Sequence, residues 1–143
     1  MKSLILTSAM VVTLATAAFA HDGVESETVA KRMEGMSEIS GALKTLGSMA
    51  KGAVEFDAVA AQAAVNEVAE QAQAIPVLFE AQVTDPKSEA KPEIWTNWDE
   101  FVATAAVLQS AAESAEISDV ASIGAAMGAM SGSCKACHSK FRM

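Results

Sequence analysis

Ser133-Cys134-Lys135-Ala136-Cys137-His138, close to the end of a 143-residue chain, is the stretch whose reading decides the rest. Cys-x-x-Cys-His is the attachment signature of a c-type haem. The spacing has a chemical reason. On a helix, two thiols three residues apart share a face, so both can add to the two vinyl groups along one edge of a porphyrin. The histidine that follows then turns its imidazole under the ring towards the iron. The chain holds two cysteines and two histidines, and no other arrangement of them supports comparable chemistry.

Other uses of the cysteine pair fit less well. A thioredoxin-like pair opens a helix after a strand. Cys134 and Cys137 instead fall in the last turns of a helical pattern, and the sequence has no strand pattern. A zinc site needs about four ligands, and only His21 remains to supply another imidazole or thiol. A disulfide across two residues closes too small a loop to stabilise much.

Outward from the motif, apolar residues recur three and four apart: Val120, Ile123, Met127, Met130, Cys134, Cys137 and Phe141. Three more segments carry the same seam. They are Val29, Met36, Ile39, Leu43, Leu46 and Ala50; Ala61, Val65, Val68, Ala72, Ile75 and Phe79; and Ile94, Trp98, Phe101, Ala105, Leu108 and Ala112. The punctuation predicts four helices. The first runs from about Glu25 to Lys51, with Gly52 as a left-handed cap. The second follows an N-cap at Asp57, and Pro76 kinks or ends it, leaving Val77 to Phe79 as an irregular last turn. The third takes Pro92 into its first turn and runs to about Ser114. The fourth starts at an N-cap on Ser118 and runs to about Phe141. Val83 to Lys91, with Asp85-Pro86, is the longest polar connection.

Four helices of this length with short links predict an all-α, antiparallel four-helix bundle, and the near-3.5 period suits its shallow crossing angles. The absence of tyrosine and the presence of only three prolines favour helix over sheet. Alanine at many seam positions leaves little side-chain volume in the core, and a haem between the helices fills part of that deficit.

Residues 1–20 read as a secretory signal peptide. Lys2 supplies the charged start, Leu4 to Leu14 the mostly apolar run, and Ala18-Phe19-Ala20 the cleavage site. The run is too short and too interrupted for a membrane span. Cleavage leaves one domain, residues 21–143, exported to the periplasm, where c-type haem is attached in bacteria. The signal carries only Lys2, so the 10 basic residues fall to 9 against 18 acidic ones. That balance argues against nucleic acid and anionic membranes and permits a basic redox partner.

His138 is the proximal iron ligand by its place in the motif. His21 lies outside the helical pattern, so a second imidazole is not expected at the iron. Met127 and Met130 share a helix with His138 and cannot easily reach the opposite face of a ring. Met33, Met36 and Met49 remain on the first helix, and Met36 is the one on its seam. Arg32, read from composition alone, is a solvated member of an alternating-charge stretch with Lys31 and Glu34. Trp95 and Trp98 read as core residues, and Phe79 is placed to line a haem.

At these residues the chain resembles the cytochrome c′ family and its low-spin relatives, the class II c-type cytochromes. The resemblance rests on Arg32-Met33-Glu34-Gly35-Met36, Ala50-Lys51-Gly52, Ile75-Pro76-Val77-Leu78-Phe79, Lys91-Pro92-Glu93-Ile94-Trp95, and the C-terminal Cys134 to His138 motif with Phe141-Arg142. It implies one covalent haem c near one end of a left-handed bundle, Arg32 near the propionates and Met36 facing the distal side. It also implies a homodimer through the first two helices, where Gly47, Ala60 and Ala64 offer small residues. In cytochrome c′ the distal residue blocks the sixth position without ligating, and the iron admits small gases such as nitric oxide and carbon monoxide. In the low-spin relatives a methionine ligates and the protein is a plain electron carrier. Met36 suits both, and the open site is the expectation carried forward. No acid-base or nucleophile constellation accompanies the motif, so an enzyme is not expected. The competing readings are a haem-free thiol redox protein and a helical interaction module.

Overall fold

The seams pair into a closed ring of helices. The computed structural model describes residues 23–143, so the signal segment and His21 lie outside the described residues. The elements are α1 (Glu27–Ala50), α2 (Ala58–Phe79), α3 (Glu93–Thr96), α4 (Trp98–Glu113) and α5 (Val120–Phe141). α1 packs on α2, α2 on α4, α4 on α5, and α5 back on α1, which is an antiparallel four-helix bundle with α3 as a short lead into α4. Among the described residues the one extended pairing is a single antiparallel bridge between Ala90 and Arg142. No described helix is long and apolar enough to cross a membrane.

The α2 seam is buried at every predicted position, from Ala61 to Phe79. α2 does not end at Pro76. It continues to Phe79 because its last carbonyls find partners outside the helix: Leu78 O accepts from Arg32 Nε at 2.9 Å and Phe79 O from Trp95 Nε1 at 2.8 Å. The predicted third helix is broken instead at Asn97, whose φ of −123° and ψ of 45° are not helical. The N-cap of α5 is Asp119, not Ser118. The Asp119 carboxylate accepts from Ser122 N at 2.7 Å while the Ser122 hydroxyl accepts from Asp119 N, a reciprocal capping box. Asp57 caps α2 as expected. After α1 the chain reverses through Gly52 at φ 68°, where a side chain would be strained.

α1 departs most from the predicted seam. Its buried side is Val29, Arg32, Gly35, Ile39, Ala42, Leu46 and Met49, whereas Met36 and Leu43 are half-buried and Ala50 is exposed. Of the residues offered for a subunit contact, Ala64 is buried in the core. Gly47 faces α5 of its own chain, where an added Cβ would lie 3.6 Å from Met127 Cε. Phe101 joins the elements at the other end. Its ring centroid lies 5.2 Å from Phe79, 5.7 Å from Trp98 and 5.3 Å from Phe141, linking α2, α4 and α5.

Candidate haem groove

The half-buried residues of α1 and the cysteines of α5 open onto one groove of about 730 Å³, within the ~300–1,000 Å³ range of cofactor sites. α1 contributes Met33, Met36 and Leu43, and α5 contributes Cys134, Cys137 and His138. Ile75 and Phe79 of α2 and Phe101, Ala105 and Leu108 of α4 supply the apolar floor, and residues 87–90 border the opening. α1 and α5 pack against each other least of the neighbouring pairs, which is why the groove opens between them.

Cys134 and Cys137 are half-buried free thiols, both facing the groove from the last turns of α5. Burial raises both thiol pKa values above the ordinary range, and Cys137 is raised further by the neighbouring Cys134. They therefore stay protonated at neutral pH, unlike the depressed thiols of redox-active pairs. His138 remains open to solvent on part of its ring. Partial desolvation lowers its pKa first, and the charge of Arg142 adds to that, partly offset by Glu89.

Arg32 is not a solvated surface residue. It is 3% exposed. Its Nε donates to Leu78 O at 2.9 Å, its Nη1 to Val83 O at 3.0 Å, and its Nη2 to Ala81 O. The guanidinium carbon lies 4.8 Å from the Phe79 ring centroid and 5.5 Å from that of Trp95. Five N–H groups are available on a guanidinium, and three carbonyls occupy only part of that set. Among the described residues Arg32 has no carboxylate partner. A buried cation without a counter-charge, set in the lining of the groove, is the environment an anionic group would complete.

The structure thus brings Arg32, Met36, Cys134, Cys137 and His138 to one groove. Met49, the third methionine considered on α1, is buried outside it, and Met33 joins Met36 on its wall. Trp95 is more than core filling, since its indole caps the end of α2 and faces the guanidinium. The sequence did not single out the groove border, residues 87–90. Its only signal was the length and polarity of that connection. The donor set suits a haem: two thiols and an imidazole on one helix, an apolar floor, and an unneutralised guanidinium.

A helical bundle with an attachment motif in its last helix, open to such a groove, defines a class of c-type haem proteins. The family described as Cytochrome C′ matches residues 27–142. The chain is 37% identical over 111 residues to a cytochrome c-556 of Agrobacterium tumefaciens, covering 76% of this chain and 88% of the relative. It is 33% identical over 121 residues to a cytochrome c′ of Rhodopseudomonas palustris, covering 82% and 83%. The solved cytochrome c′ from Rhodopseudomonas palustris superposes with a TM-score of 0.76 at 32% identity, covering 83% of this chain and 98% of that one. The chain belongs to the cytochrome c′ family.

Proposed function

We propose that this protein is an exported, periplasmic monohaem cytochrome that carries single electrons and is not an enzyme. Residues 1–20 are its removed signal peptide and residues 21–143 its working domain. Cys134 and Cys137 would hold one haem c covalently through their two thiols. His138 would be the proximal ligand of its iron, Arg32 would lie towards the propionates, and Met36 would face the distal side. The bound haem supplies a one-electron ferric/ferrous couple. The chain's own contribution is to exclude water with Ile75, Phe79 and Phe101, to fix the imidazole on α5, and to place a permanent positive charge near the ring edge.

The observation that supports this reading is the groove that gathers two thiols and an imidazole from α5 opposite methionines from α1, with an unneutralised Arg32 in its lining. The raised thiol pKa values count against a haem-free redox pair. Met36 would form a wall of the groove and leave the iron open there to nitric oxide or carbon monoxide. Its thioether on the groove also supports a second reading, ligation of the iron. A homodimer would use the outer face of α1 and α2 at Gly41, Ala60 and Ala63, a shallow depression bounded by Glu38 and Glu67. The redox partner is expected to present basic groups to an acidic chain.

The experiment is an absorption spectrum of protein exported with an intact cytochrome maturation system. A Soret band that stays with the polypeptide through acid-acetone extraction is the expected result. Its absence overturns the proposal.

A further inference from the structure

The connection over residues 80–91 is fastened to both walls of the groove. On the α1 side, Asp85 Oδ2 accepts from the backbone N–H groups of Glu25 and Ser26, each at 2.9 Å, while its Oδ1 accepts from Lys87 N at 2.8 Å. One carboxylate thus joins the chain just before α1 to a point some 60 residues later. Arg32 adds a second fastening through the carbonyls of Ala81 and Val83. On the α5 side, Lys91 N donates to Phe141 O at 3.0 Å and Met143 N to Glu89 O at 2.8 Å, with the Ala90–Arg142 bridge between them. The Glu89 carboxylate also pairs with Arg142. These walls are the neighbouring helices that pack least directly on each other.

We propose that residues 80–91 act as a tie-bar joining the two walls of the groove, with Asp85 the positioning residue at its α1 end. Direct packing between α1 and α5 is sparse, so the separation of the Met36 wall from the Cys137–His138 wall is held in part through this segment. Releasing either end loosens the other, because coupling through a shared element is reciprocal. The tie-bar rests on the haem reading only for what the groove holds. Its fastenings are protein–protein contacts.

The test is amide hydrogen exchange on the reduced holoprotein, comparing wild type with Asp85→Asn and with deletion of Met143. Asn has one acceptor oxygen where Asp85 has two, so it cannot accept from Lys87 N as well as from Glu25 and Ser26, and without the charge the bonds it keeps are weaker. The Met143 side chain is exposed, so its deletion removes little beyond one hydrogen bond. Asp85→Asn is expected to speed exchange at Ser26 and also, on the far wall, at Lys91 by about tenfold. Deletion of Met143 is expected to speed exchange at Lys91 and also at Ser26. The amide of Ala53, bonded to Ser48 O at the opposite end of the bundle, should not change. Faster exchange confined to the altered wall overturns the tie-bar, as does no change anywhere. An equal rise at Ala53 means global loosening and also overturns it. Failure of the haem reading appears separately, as a chain without covalent haem whose amides still report on the two walls.

Discussion

Replacing Arg32 is the sharpest test of how the groove is built. The side chain is almost fully buried and donates to the carbonyls of Leu78, Ala81 and Val83. Hydrogen bonds to a charged group contribute about 1.5–3 kcal/mol each, so three of them set an upper bound of roughly 5–9 kcal/mol. Ala81 is exposed and Val83 half-buried, so those carbonyls regain water once the guanidinium is gone. Removing a buried, uncompensated cation also returns part of its desolvation cost. The net loss for Arg32→Ala is therefore about 3–5 kcal/mol, including the stacking on Phe79 and Trp95. Arg32→Lys keeps the charge but not the planar fork. It should lose most of the same amount, because one ammonium cannot reach three carbonyls that diverge around the end of α2. Urea unfolding of the holoprotein, followed by helical circular dichroism, measures both. A loss below about 1 kcal/mol for Arg32→Ala, typical of a solvated surface residue, would refute the buried fork. Full retention in Arg32→Lys would show that charge alone matters there.

Cys134→Ala and Cys137→Ala are each expected to weaken haem attachment, and the double change to give an apoprotein with reduced helicity and melting temperature, since the alanine-rich core lacks volume without the ring. Native melting of the double variant would remove the haem from the core. Met36→Ala separates the two distal readings. A ferric band near 700 nm (roughly where a sulfur-to-iron transition falls for Met/His haem) that vanishes in the variant establishes ligation, and its absence from the wild type supports the open site. Asp85 and Asp119 both hold carboxyl pKa values below the ordinary range because backbone N–H groups bond the ionised form. Their folded values are depressed, so their stabilisation is fully present above the ordinary value of about 3.9 and is lost as pH falls through the lowered folded values. Urea midpoints measured on the way down from roughly pH 5 should drop below that value, and Asp119→Asn should flatten part of the drop. An unchanged slope in that variant would show that the α5 cap does not titrate with folding.

The helical class and the groove's chemistry were both legible along the chain, for different reasons. α2 has one apolar face, and every residue its three-four spacing named, from Ala61 to Phe79, is buried, with Ala64 beside Val65 buried as well. α1 has two faces to satisfy, the core and the groove. Its apolar spacing therefore mixed residues of both, and Met36 and Leu43 proved to line the groove while Ala42 and Met49 entered the core. Along the sequence Ser118 and Asp119 are equally good N-cap types. Only the reciprocal bond with Ser122 distinguishes them. Pro76 does not end α2, since a helix that lacks one N–H continues if its final carbonyls find other donors.

The sequence by itself determined the elements and the chemistry: four amphipathic stretches, because side-chain periodicity is a local property, and a thiol-thiol-imidazole set, because its spacing of one and three residues is fixed by a single helical turn. Only the tertiary structure decided what surrounds that set. The environment of Arg32 depends on carbonyls 46 to 51 residues away, and the role of Asp85 on amides 59 and 60 residues away. A charged side chain in a polar stretch carries no local mark of burial. Its desolvation is offset by donors and acceptors that only the closed bundle brings to it.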